Sequence, residues 1–111
     1  MVPAVLIVTG SVRARPETFD QALAISLAHV RRSREEPGCL LHSVHVDAED
    51  PLHLVFVEHW ADPPALHAHF GVPESSTFVQ ALAELAAAPP EMKIYDAAPV
   101  SPRSLGTPLG A

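Results

Sequence analysis

The chain has 111 residues, enough for one domain and too few for two. Hydrophobic residues make up 48% of it, which supports a packed core and excludes disorder of the whole. Thirteen acidic against seven basic side chains leave a net charge of −6, which excludes the electrostatic footprint of a nucleic-acid or anionic-membrane binder.

Val2–Thr9 is a run of Val, Leu and Ile of strand length, bounded by Gly10 and continuing weakly to Val12. Pro16 suits a first helical turn, and Phe19, Leu23, Ser26/Leu27 and Val30 recur at helical spacing, so a helix is expected over about residues 16–36. Arg31, Arg32 and Arg34 suit the negative pole of its dipole and read as a solvated helix end, with Pro37–Gly38 as the stop. Leu40–Asp47 and Leu52–Trp60 read as a hairpin joined by Ala48–Pro51. In the second run Leu52, Leu54, Phe56, Glu58 and Trp60 share one face, and His53, Val55, Val57 and His59 the other. Asp62 before Pro63–Pro64 caps a short helix through Leu66 and Phe70 to Gly71. Another helix starts at Pro73–Glu74, carries Phe78, Leu82 and Leu85, and stops at Pro89–Pro90. Met92–Tyr95 is a last strand, and the chain from Ala98, with Pro99, Pro102, Gly106, Pro108 and Gly110, reads as an irregular tail.

The order β-α-β-β-α-α-β is that of a ferredoxin-like split βαβ domain, α+β in class, with a four-stranded antiparallel sheet over residues 1–97 and a tail over 98–111. Helices can cover only one face of such a sheet, yet the hairpin is largely apolar on both. A second copy packed on the open face, a homodimer, is the economical solution. Cys39 is the single cysteine, so no internal disulfide is possible; beside no evident cation, it reads as a strand-start thiol and not a nucleophile. The first residues lack a charged region and Val5–Val8 is too short for a leader or span, so a cytoplasmic location and no membrane contact are expected.

Glu36–Pro37–Gly38–Cys39–Leu40, Asp50–Pro51, Val57–Glu58–His59–Trp60–Ala61–Asp62 and Ala68–His69 occur in an order and spacing that resembles the antibiotic biosynthesis monooxygenase family. The resemblance covers about residues 2–97 and implies a dimeric α+β barrel. It also implies that some members oxidise quinols or phenols with O2 and no metal or organic cofactor, while others degrade haem.

Cofactor-free oxygenation needs an apolar pocket for an electron-rich aromatic and a base to stabilise its anion. Trp60 would shape that pocket with Glu58, Phe56 and Phe70; the bland alternative for Trp60 is a core aromatic, and for Glu58 a structural ion pair. His69, at the family's recurring histidine, would be the base, and Tyr95 an auxiliary donor, each with a purely structural alternative. His59 should point away from Trp60, toward the dimer face. The haem-degrading members resemble one another in an Asn–Trp–His set, and this chain contains no asparagine, so haem degradation is not expected. His42 and His45 face opposite ways on a strand, and His67 and His69 diverge on a helix, so no metal site is expected. The competing function is a non-catalytic dimer that binds a small ligand or serves only as an interaction module.

Overall fold

The computed structural model describes residues 4–106; Val2 of the first expected strand and Pro108 and Gly110 of the tail lie outside the described residues. The elements are β1 (Val5–Arg13), α1 (Phe19–Ser33), β2 (Cys39–Asp47), β3 (Asp50–Trp60), α2 (Pro63–Gly71), α3 (Pro73–Leu85) and β4 (Glu91–Ala97). A 3₁₀ turn at Pro102–Leu105 interrupts the tail. The sheet order is β2-β3-β1-β4 with every pair antiparallel, the split βαβ arrangement the element order requires.

Boundaries moved where local chemistry overrides pattern. Helix α1 starts at Phe19, three residues after Pro16, because Thr18 is tied on both sides. Its Oγ1 accepts from the Arg15 amide at 3.1 Å and donates to the Leu85 carbonyl at 2.6 Å. The helix ends at Ser33, whose hydroxyl bonds the His29 carbonyl at 2.7 Å. The hairpin turn is shorter than expected: Asp50 and Pro51 belong to β3. The register shift between Val46 and Asp47 accommodates a residue that has no ladder donor.

Gly38 closes the turn between α1 and β2 with φ of 82°, and a Cβ there would stand 2.5 Å from Ala65 Cβ on α2. Only glycine satisfies both the backbone and that contact. The Asp62 side chain caps α2 by accepting from the Ala65 amide at 2.9 Å.

The alternation along β3 is realised. Leu54, Phe56, Glu58 and Trp60 are buried under the helices, and Val55, Val57 and His59 lie on the open face. Two apolar clusters form beneath the helices, one around Val12, Leu54, Phe56 and Leu82, the other around Val8, Trp60 and Leu66. Glu58 separates them along β3, so a polar seam divides the core. Helix α1 packs on α3 and β2, and α2 on α3 and β3. Strand β4 keeps its helix-side residues Met92 and Ile94 about half exposed.

Candidate functional site

The polar seam is built from four elements. Helix α1 contributes His29, on a buried stripe with Ala22, Ser26, Val30 and Ser33. Strand β2 contributes His42, which the hairpin register sets opposite Glu58 of β3, and α2 contributes His69.

His29 is 8% exposed and lies flat on Phe78, ring centroids 4.0 Å apart. Its Nδ1 accepts from the Arg32 guanidinium at 3.0 Å, and Arg32 also reaches Glu36 at 3.0 Å and Ser75 at 3.1 Å. Burial, then coulombic coupling to His42, His69 and Arg32, pushes the His29 pKa down to about 3, against a weaker upward pull from Glu58. His29 is therefore uncharged at neutral pH.

His69 is buried, and its Nδ1 lies 2.9 Å from Glu36 Oε1. A carboxylate only accepts, so the ring donates from Nδ1 and keeps a free lone pair on Nε2. That Nε2 lies 3.9 Å from Glu58 Oε1. Glu36 thus orients His69 as a second carboxylate orients a base or a ligand.

Glu58 accepts from Trp60 Nε1 at 2.8 Å. Burial opposes its ionisation, but the contact with His42 and the Trp60 hydrogen bond outweigh that and hold its carboxyl below the usual range. His42 is wholly buried; its Nε2 stands 3.3 Å from Glu58 Oε1 without hydrogen-bond alignment, so neither ring nitrogen has a hydrogen-bond partner. Leaving a buried polar group unsatisfied costs about 1–3 kcal/mol, and here the contact with Glu58 offsets part of that cost.

A cavity of about 230 Å³ opens against this seam. Phe56, Phe70, Phe78, Val79, Leu82 and Met92 give it apolar walls, and His29, His42, Glu58, His69 and Ser75 its polar part. Gly10 also lines it, beside Phe56 and Glu91, where any side chain would take up space. A dry cavity of about 150 Å³ suffices for benzene, so this one has room for more than a single ring.

Phe56, Glu58, His69 and Phe70 therefore meet at one cavity. Trp60 does not join them on its wall. It is 0% exposed and packed behind His69, ring centroids 4.6 Å apart, because the Nε1–Glu58 bond draws it into the core. Tyr95 is separated from the cavity altogether. Its register partner Ile7 also pairs with His59, so Tyr95 lies on the open sheet face, 48% exposed. Two further findings concern charge and the histidines. Arg32 turns inward to His29, Glu36 and Ser75, and Arg34 donates to the His42 carbonyl at 2.9 Å, so the basic cluster is partly built into the site. The expectation of no metal-ligand set compared histidines close in sequence. Ligand atoms of His29, His42 and His69, from three elements, come within 4.8 Å of one another. Cys39 is half-buried and its thiol is pushed up by burial and by Glu36 and Glu58, against a role as nucleophile.

The fold and this helix-covered pocket define a ferredoxin-like α+β domain built around a small-molecule cavity. The model of the antibiotic biosynthesis monooxygenase family matches residues 5–86, and the chain belongs to that family. An uncharacterised protein of Synechocystis sp. is 33% identical over 90 residues, 81% of this chain and 61% of its own length. The match thus spans under two thirds of that relative. Among solved structures, a candidate antibiotic biosynthesis monooxygenase of Deinococcus radiodurans is 27% identical with a TM-score of 0.82, over 86% of this chain and 95% of its own. An antibiotic biosynthesis monooxygenase that is 31% identical has a TM-score of 0.78, over 85% of this chain and 99% of its own. No helix among the described residues is long and apolar enough to cross a membrane.

Proposed function

We propose that the protein is a monooxygenase of electron-rich phenols or quinols, using O2 and no bound organic cofactor. The observation that carries this reading is the Glu36–His69 pair, which leaves a free Nε2 at a cavity walled by Phe56, Phe70 and Phe78. Nε2 takes the phenolic proton, and Glu36 stabilises the imidazolium that results. The substrate anion then gives electrons to O2. For an anthrone-type substrate, one oxygen atom becomes the new carbonyl, and the other leaves as water with the two hydrogens of the oxidised methylene. No outside reductant is required. Glu58 and Trp60 hold the polar seam in shape from behind, and Phe70, at the exposed rim, flanks the entrance.

The working unit on this reading is a cytoplasmic homodimer of the domain over residues 1–97. The open sheet face carries Ile7, Val55 and Val57 with His59, Leu41 and Tyr95, a patch that a second copy would cover. The single thiol suits a reducing compartment. Light scattering at micromolar concentration should give twice the 11.9 kDa chain mass, and a monomer would refute the dimer.

Oxygen uptake with a panel of hydroquinones and anthrone-type phenols tests the chemistry. The native protein should consume O2 with at least one of them, His69→Ala should lose at least about 100-fold, and Trp60→Phe should lose less. No uptake across the panel sinks the oxygenase. The packing of Trp60 behind the wall favours a second reading, a dimer that binds a small aromatic without turning it over. That reading survives if the panel binds but no O2 is consumed.

A further inference from the structure

We infer that His29, His42 and His69 form a binding site for a divalent first-row transition-metal ion at the polar part of the cavity. Three independent features of the site converge on this. The three ligand atoms lie within 4.8 Å of one another, and all three residues are buried. A metal about 2.0–2.1 Å from each nitrogen needs them about 3.4 Å apart at tetrahedral angles, so the widest pair must close by about 1.4 Å.

The second feature is His42. Its ring is wholly buried with neither nitrogen hydrogen-bonded, although Glu58 Oε1 stands only 3.3 Å away. A structural histidine at this depth would have a partner for at least one nitrogen. The third is the surrounding shell. Glu36 accepts from His69 Nδ1 at 2.9 Å, the carboxylate–imidazole arrangement that points Nε2 at a metal and raises its basicity. Glu58, 3.3 Å from His42 and 3.9 Å from His69, supplies negative charge beside the site while Trp60 holds it in place.

His29 is the most weakly committed of the three. Arg32 donates to its Nδ1, and that contact must yield whichever nitrogen binds: ligation through Nδ1 displaces it, and ligation through Nε2 moves the ring proton to Nδ1. Arg32 has Glu36 and Ser75 to hold instead. Imidazole sets suit zinc, copper, nickel and iron. Because all three rings line the cavity, the remaining coordination position faces it, as in an open metal site rather than a closed structural one.

The ion and the oxygenase base claim the same atom, His69 Nε2, so a bound metal and proton abstraction there exclude each other; the binding test is read without substrate and stands or falls separately from O2 uptake. The test is titration of the full-length, chelator-treated protein with Co(II), read by its visible ligand-field bands, and with Zn(II) by calorimetry. One ion per chain is expected, with tetrahedral or five-coordinate Co(II) bands. His42→Gln and His69→Gln should each weaken binding at least 100-fold, and Glu36→Gln by 10–100-fold. His45→Gln and His67→Gln, on exposed histidines, should leave it unchanged. Circular dichroism checks that each variant is folded. Should a triad variant fail to fold, the native protein still decides, because a site binding the folded state must raise its Tm with added Zn(II). Stoichiometry well below one, Co(II) bands of a hexa-aquo-like ion, no rise in Tm, or equal losses in the His45 and His67 variants would each overturn the site.

Discussion

Replacing His29 by Phe should change how stability depends on pH more than it changes stability itself. His29 has a folded-state pKa of about 3 against 6.5 in the unfolded chain. Between those values the unfolded state carries a proton that the folded state does not, so stability rises with pH and is lost as pH falls below 6.5. The slope approaches 1.4 kcal/mol per pH unit, and by pH 4.5 the accumulated loss is about 2–3 kcal/mol relative to neutrality. Phenylalanine keeps the stacking surface against Phe78 and cannot be protonated. The groups facing the ring, namely His42, His69, Arg32, Ser75 and Glu58, remain in both proteins, so the difference between the two isolates His29. Urea unfolding with chelator present, at one protein concentration and at pH 7.0, 6.0, 5.0 and 4.5, measures it. The native-minus-variant difference should shift against the native protein by about 2–3 kcal/mol from pH 7.0 to 4.5. A constant difference would show that His29 titrates as an ordinary exposed histidine and that the seam is open to water.

Gly38→Ala forces a Cβ into the Ala65 methyl at a left-handed φ, so chemical denaturation should show a loss of about 2–4 kcal/mol. Trp60→Phe removes the donor to a buried carboxylate, and should cost about 1.5–3 kcal/mol in the same assay while raising the Glu58 pKa, followed by carboxyl carbon NMR. Gly10→Val puts a β-branched side chain into the cavity at ordinary contact distance from Phe56. It should leave Tm within a few degrees and weaken binding of a two-ring phenol at least tenfold by calorimetry. Unchanged affinity would place the ligand elsewhere.

The fold was legible because its signals are local. Alternation along β3, the Asp62 cap and the glycine at the Pro37–Gly38 turn each act through near neighbours, and all are where pattern placed them. The element ends were less so, since Thr18 sets the start of α1 through its hydrogen bond to the distant Leu85 carbonyl. Half of the site was legible too: Glu58, Phe56, His69 and Phe70 meet at the cavity. His29 was missed because a search for an apolar stripe passes over a buried polar residue in the same stripe. Its signal was its place one residue before Val30, on the face that also holds Ser26 and Ser33. His42 diverges from its near neighbour His45, and only the hairpin register, which sets it opposite Glu58, brings it to the site. Tyr95 went astray because the register of β4 on β1 decides its face, and no local pattern encodes that register.

On the proposed chemistry His69, backed by Glu36, takes a proton from a phenol in the cavity. Anaerobic titration with a two-ring phenol, at a pH two units below that phenol's own pKa, tests it without turnover. The native protein should show the absorption band of the bound phenolate, and His69→Gln should bind the same compound in its neutral form. A neutral spectrum in both proteins, or a phenolate band that persists without His69, would show that His69 is not the base.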